Sequence, residues 1–251
     1  MAGMPQWEPL GGGAGVWISQ EHRFGQDALL LARFSLAAYE PGGDAPHSGK
    51  RAAAKPPARR AVDLGAGCGI LAVLWCLGRP ELTVDALEIQ PAAAELAKRS
   101  AQDSGFAARL RVHTADLRRW REWLEPGTMD LAAINPPYFP PGSGGVSPSP
   151  AARIARHETA DPSLPGCTLA DAAQAAAGLL RPGGRFCLCH RPERLTDVLA
   201  ALRGAGLEPK RLRFAQPAPD KAPWLFLCEG RKGGRPGGLR VEAPLLEGGG
   251  S

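Results

Sequence analysis

The sequence predicts an α/β protein built on a mostly parallel sheet of seven strands with helices on both faces. Three observations predict it. From residue 60 onward, short apolar runs alternate with segments of helical periodicity, the pattern that pairs strands in parallel through right-handed crossovers. The first of those runs ends in a glycine-rich turn, Gly65-Ala66-Gly67-Cys68-Gly69. The fourth ends in a proline turn, Asn135-Pro136-Pro137-Tyr138. At 251 residues, 44% of them hydrophobic and 22% charged, the chain suits one globular domain with extensions.

Residues 1–15 are rich in Gly and Pro and read as a flexible lead-in. They lack the charged-then-apolar layout of a secretion signal, and no apolar run approaches the roughly 20 residues that a membrane span needs. A cytoplasmic protein is expected. Residues 26–39 read as an amphipathic helix, with Leu29, Leu30, Arg33 and Phe34 at helical spacing. Residues 41–60 are poor in apolar side chains and rich in breakers, which predicts a surface loop. Its cations Lys50, Arg51, Lys55, Arg59 and Arg60 either touch phosphates or are simply solvated.

The alternating part follows. Strands are expected at 60–64, 82–89, 109–114, 129–135 and 185–190, and helices at 69–77, 91–104, 169–180 and 194–204. Pro91 suits the first turn of its helix, and Arg181-Pro182-Gly183-Gly184 stops another. Two closing strands lie near 210–214 and 224–228. Being adjacent, they break the alternation, so one is expected to be antiparallel. A Gly-rich tail covers 230–251.

The glycine turn follows a strand and opens a helix, the setting in which glycines let a ligand approach the backbone closely. It is not a dinucleotide fingerprint, because Ile70 stands where the last glycine would be needed. Asp63, just before the turn, suits a cationic ligand such as an amino-acid moiety or a sulfonium. Glu88 ends the next strand, where a carboxylate can accept both ribose hydroxyls. Asp116 follows the third strand and is placed to meet an adenine amino group. Ile89 and Leu117 flank these two acids, and together the set points to S-adenosylmethionine as cofactor.

The proline turn lies past the fourth strand, at the edge where open α/β sheets bind ligands. An amino group conjugated to a π system is a poor nucleophile. An Asn oxygen and a fixed carbonyl can accept its two N–H bonds and hold its lone pair towards an incoming methyl group. Asn135 and the Pro136 carbonyl are the candidates, stiffened by Pro137. Tyr138, with Phe139 beside it, offers a flat face for a planar acceptor. Residues 140–158, rich in Gly, Ser and Pro, read as a loop that closes over a flipped base. Arg153, Arg156 and His157 contact RNA phosphates or hold that loop down against a carboxylate.

Six cysteines form no CxxC pair, and Cys187 and Cys189 alternate within one strand. They read as small buried hydrophobes, and no metal is expected. The formal net charge of +5 is compatible with a polyanionic partner.

DLGAGCG with NPPY resembles the amino-methylating Rossmann-like methyltransferases of class I. RFGQDALLLARF (23–34), AVDLGAGCGILAVLW (61–75), VHTADLRRW (112–120), INPPYF (134–139) and ARHE (155–158) make the chain similar to the bacterial tRNA(Val) adenine-N6 methyltransferase family. The resemblance implies methylation of an adenine beside the anticodon of tRNA. It implies that Phe24, Gln26 and Asp27 help form a cofactor lid, that Asp63, Gly65 and Gly67 border the methionine moiety, and that Glu88 takes the ribose. Asp116 would lie near the cofactor adenine, and Asn135 would face both cofactor and acceptor. The chain departs from the family pattern in its long 41–60 loop and its Gly-rich tail. A glutamine side-chain amide in a translation factor, a guanine in ribosomal RNA, and RNA binding without catalysis are the alternatives to be separated from this reading.

Overall fold

The computed structural model describes residues 4–37, 59–139, 149–161 and 163–246. Lys50, Arg51, Lys55, residues 140–148 and the end of the Gly-rich tail lie outside the described residues. The lead-in is not loop throughout. Strands β1 (Gln6–Gly11) and β2 (Ala14–Ile18) pair antiparallel as a hairpin. Glycines 11, 12 and 13 all take positive φ at its turn, so the residues that suggested flexibility instead reverse the chain. Helix α1 (Gln26–Ala37) follows.

The main sheet has seven long strands. They are β3 (Arg60–Leu64), β4 (Thr83–Glu88), β5 (Leu110–Thr114), β6 (Met129–Ile134), β7 (Leu180–His190), β8 (Leu207–Gln216) and β9 (Leu225–Lys232), in the spatial order 8-9-7-6-3-4-5. From β7 to β5 all neighbours are parallel, and β9 runs antiparallel to both β7 and β8. The expected stop at Arg181-Pro182-Gly183-Gly184 becomes the irregular start of β7, where the register against β6 shifts. Two short strands, β10 (Arg240–Val241) and β11 (Leu245–Leu246), extend the β8 edge in parallel.

Side chains alternate between two cores, as pleated strands require. Ala61, Leu131, Ala133, Cys187 and Cys189 face α1, α2 (Ile70–Gly78) and α3 (Pro91–Asp103). Val62, Leu64, Ala132, Ile134, Phe186 and Leu188 face α5 (Leu169–Leu179) and α6 (Leu195–Gly204). The short helix α4 (Pro150–Arg156) stands apart from both. With both faces covered, the strands read as continuous apolar runs.

Buried charge ties α1 to the far side of the sheet. Arg211 on β8 pairs with Glu229 on β9 at 2.8 Å and with Glu242 of the tail at 2.9 Å, and Arg185 on β7 lies 3.4 Å from Glu229. The Arg211 guanidinium sits over the Phe34 ring of α1 at 4.3 Å. On the other side the hairpin docks on α3. Trp17 donates its backbone N–H to Ser100 Oγ (2.8 Å) and its indole N–H to Asp103 (2.7 Å), and Arg99 stacks over its ring at 3.3 Å. These two attachments hold residues 19–27 between them.

Ser100→Ala leaves the Trp17 amide without its partner, and an unsatisfied donor costs about 1–2 kcal/mol. Urea unfolding should show a lowered midpoint for this variant. A wild-type midpoint would mean that the remaining hairpin contacts, the Trp17–Asp103 and Gly15–Ser104 bonds among them, suffice without Ser100.

Candidate active site

The parallel strands β3, β4, β5 and β6 end on one edge. The turns that follow them, together with residues 20–25, Asp27, Ala28 and part of α4, line a cavity of about 640 Å³. Of the residues singled out from sequence, it brings together Phe24, Asp27, Asp63, Gly65, Gly67, Glu88, Ile89, Asp116, Leu117, Asn135, Pro136, Pro137, Tyr138, Phe139 and Arg156. Gln26, Arg153 and His157 are not on its wall.

Gly65, Gly67 and Gly69 take φ of +71°, +56° and +85°. A Cβ at Gly65 or Gly67 would meet open space, whereas one at Gly69 would come 3.0 Å from the Ala97 Cβ. The first two keep the turn thin for a ligand, and the third lets α3 approach. Glu88 accepts the Gly67 N–H (2.8 Å) and the Gln90 N–H (2.8 Å), bracing the turn from the neighbouring strand. Burial raises the Glu88 carboxyl above its ordinary value. Asp63 is 2% exposed, and its Oδ2 has no hydrogen-bond partner. Burial pushes this carboxyl up to about 7. A buried acceptor without a donor is unstable by itself, and on a cavity wall it fits a ligand that brings a cationic donor. With the thin glycine turn, this donor set fits the amino-acid end of S-adenosylmethionine.

Asp116 lies on the cavity wall at the exit of β5. Its carboxylate is clasped by Arg118 (2.6–3.0 Å) and accepts the Arg118 backbone N–H at 2.9 Å. Arg118 also donates to the carbonyls of Asp161 (3.3 Å) and Leu164 (2.8 Å), which ties the third strand's exit to the segment before α5.

The other half of the cavity holds a hydrogen-bonded cluster. Asn135 Nδ2 donates to Asp27 Oδ2 at 3.0 Å. The Tyr138 hydroxyl lies 2.6 Å from Asp27 Oδ2 and 2.8 Å from Asn135 Oδ1. The Cys189 thiol donates to Asn135 Oδ1 at 3.1 Å. Burial raises the Tyr138 hydroxyl far above its usual range and raises the Cys189 thiol as well, so both stay protonated donors. Three expectations are extended here. Tyr138 contributes a bonded hydroxyl, not only a ring face. Asp27 lines the cavity and also binds the proline turn through its Oδ2 and the Ala28 N–H through its Oδ1 at 2.9 Å. Cys189 is more than buried filler.

Segment 140–158 is not loop throughout: 149–156 begins with a Ser149 side-chain cap (3.1 Å) and forms α4. Phe139 exchanges backbone bonds with Arg156 and Glu158 (2.9 and 2.8 Å). Buried Glu158 pairs with Arg194 at 2.9 Å and accepts the Leu169 N–H at 3.2 Å. His157 stacks on Phe139 at 5.3 Å, with Arg191 over the same ring at 5.0 Å. His157 and Glu158 thus anchor the end of this segment. Behind Tyr138, buried His190 packs at 5.2 Å and is depressed to about 4 by burial, so its ring is neutral. Arg191 and His190 were missed because each acts through residues distant in sequence, and Arg118 because its pairing with Asp116 two residues away leaves no mark in the pattern of residue types. Among the described residues, no group of three or more His, Cys, Asp or Glu side chains could hold a metal ion, and no helix is long and apolar enough to cross a membrane.

The comparisons agree with this geometry. Residues 51–145 match the family described as methyltransferase small domain. The tRNA1(Val) (adenine(37)-N6)-methyltransferase of Porphyromonas gingivalis is 29% identical over 211 residues, 83% of this chain and 74% of that protein. Its namesake in Cronobacter sakazakii is 34% identical over 148 residues, 59% of this chain and 56% of that protein. A predicted O-methyltransferase of Agrobacterium tumefaciens superposes with a TM-score of 0.64 at 24% identity, over 88% of each chain. TrmN of Thermus thermophilus superposes with 0.51 at 20% identity, over 82% of this chain and 48% of that one. These two likenesses speak for the fold.

Asp63 generates a pH test. Its folded value of about 7 lies above the ordinary 3.8, so between those values the folded state holds a proton that the unfolded state has lost. This contribution is complete below pH 4 and is lost as pH rises through 7, by up to a few kcal/mol. Thermal unfolding of the ligand-free protein should show this decline, and Asp63→Asn should flatten it. The same slope in both proteins would reject the assignment.

Proposed function

We propose that this chain is a member of the tRNA1(Val) (adenine(37)-N6)-methyltransferases, to which it is similar, and methylates the exocyclic amino group of an adenine in tRNA, working in the cytoplasm. The observation that carries this reading is the shared cavity. The Asn135-to-Tyr138 turn, with its amide held in one orientation, opens onto the same space as the glycine turn and the unpartnered Asp63.

S-adenosylmethionine, when bound, supplies an electrophilic methyl group on a sulfonium. Asp63 would hold its cationic amino group, the open faces of Gly65 and Gly67 would admit its methionine part, and Glu88 would accept from its ribose. Asn135 Oδ1 and the Pro136 carbonyl take the two N–H bonds of the acceptor amine, favouring the charge that develops on nitrogen and aiming its lone pair. Tyr138 is a permanent donor and removes no proton, so the extra amine proton departs after transfer. An adenine reaches this depth only when turned out of its stack. Phe139, with His157 and Arg191 against it, lies at the entrance as a cationic aromatic surface. Exposed Arg23, Arg153 and Arg156 suit the phosphates around such a base.

Purified protein, labelled S-adenosylmethionine and bulk tRNA should yield labelled N6-methyladenosine by nucleoside mass spectrometry. Label in guanine, or no label in tRNA at all, would overturn the substrate reading. Asn135→Ala should lower turnover about a hundred- to a thousandfold, the usual cost of one preorganised polar group, with S-adenosylhomocysteine affinity unchanged in calorimetry. Full activity in this variant would place the chemistry elsewhere.

A further inference from the structure

The hydrogen-bonded cluster contains more acceptors than Tyr138 can serve. Its hydroxyl has one proton and faces two oxygens, Asp27 Oδ2 at 2.6 Å and Asn135 Oδ1 at 2.8 Å. The contact to the carboxylate is the shorter, and bonds to ionised acceptors are the stronger, so the proton rests on the Asp27 side. Asn135 Oδ1 then receives one donor, the Cys189 thiol, and an amide oxygen has two lone pairs. The second then receives no donated proton, although the Tyr138 oxygen lies 2.8 Å from it. Asp27 Oδ2 also takes the Nδ2 proton of Asn135 at 3.0 Å. Turning the amide over would place two acceptors against each other, so the carboxylate permits one orientation only.

We propose that Asp27 is a positioning residue for methyl transfer: by taking one amide proton of Asn135 and the hydroxyl proton of Tyr138, it locks the orientation of the amide and keeps one lone pair of Asn135 Oδ1 free of a donated proton. This rests on the reading of Asn135 as the amine's acceptor. Without Asp27, the Tyr138 hydroxyl turns to Asn135 Oδ1 and occupies the lone pair that the amine needs. Asp27 then controls the rate of transfer across the cavity, from the first turn of α1, without touching either reactant.

Asn135 is the sole asparagine in the chain, so labelling with 15N-asparagine gives one pair of side-chain NH2 signals. In the wild type one of these protons should exchange about tenfold more slowly than in a free asparagine, as a bond to a carboxylate requires. Asp27→Ala should abolish that protection and lower kcat by about ten- to a hundredfold through misalignment, with KM for tRNA and S-adenosylhomocysteine affinity little changed. Asp27→Ser keeps a small polar side chain in the first turn of α1 and should behave alike, and a wild-type melting temperature in either variant separates positioning from folding. Free-asparagine exchange in the wild type would overturn the proposal. So would a loss of S-adenosylhomocysteine affinity as large as the loss of rate. The NH2 signals need no tRNA, so an enzyme inactive on tRNA would sink the substrate reading and leave this one standing.

Discussion

Helices cover both faces of the central sheet, and this leaves only the strand ends for polar chemistry. Because β3, β4, β6 and β7 run in the same direction, those ends meet at one edge. Asp63 and the glycine turn come from β3, Glu88 from β4, Asn135 from the exit of β6, and Cys189 from the last residues of β7. No loop has to carry a reacting group far from its strand. α1 closes the set because Arg211 and the hairpin hold it from opposite sides, so that Asp27 reaches a turn 108 residues later.

Charge is sorted by depth. Asp63, Glu88 and Asp27 lie within the cavity, while Arg23, Arg153, Arg156 and Arg191 are exposed. A negative interior suits a cationic cofactor, and a positive rim suits a polyanion too large to enter. On the proposed reading, the two reactants would be drawn to different depths by opposite fields, and only a single flat group of the larger one would pass between them. The unpartnered Asp63 carboxyl is the cost of that arrangement in the ligand-free fold, since stability is given up where binding will recover it.

Local chemistry was legible in the sequence and its long-range completion was not. The glycine turn and Asn135-Pro136-Pro137-Tyr138 announce themselves by residue type and by position after an apolar run. The parallel strands did so by continuous hydrophobicity, and the antiparallel β9 by its adjacency to β8. The β1–β2 hairpin was missed because glycines look alike in a tight reversal and in a loose tail. Asp27 was noticed only through resemblance, since nothing local says that its carboxylate bonds to Asn135. Tyr138 was read as a ring because the partners of its hydroxyl lie on α1 and β7. Cys189 looked like its neighbour Cys187. Both are fully buried, and only the end of the strand distinguishes the one that touches the site.

All six cysteines are buried and unpaired. Burial raises every one of these thiols, Cys76 to about 11 and Cys68, Cys167 and Cys228 to about 12, and Cys187 and Cys189 well above the ordinary thiol value. Alkylation proceeds through the thiolate, so the native chain is chemically silent towards maleimides at neutral pH. A cysteine substituted at exposed Arg153 on α4 would be its one reactive handle. A fluorophore placed there would sit beside the cavity entrance, and the enzyme would need no prior removal of its own thiols to be watched one molecule at a time.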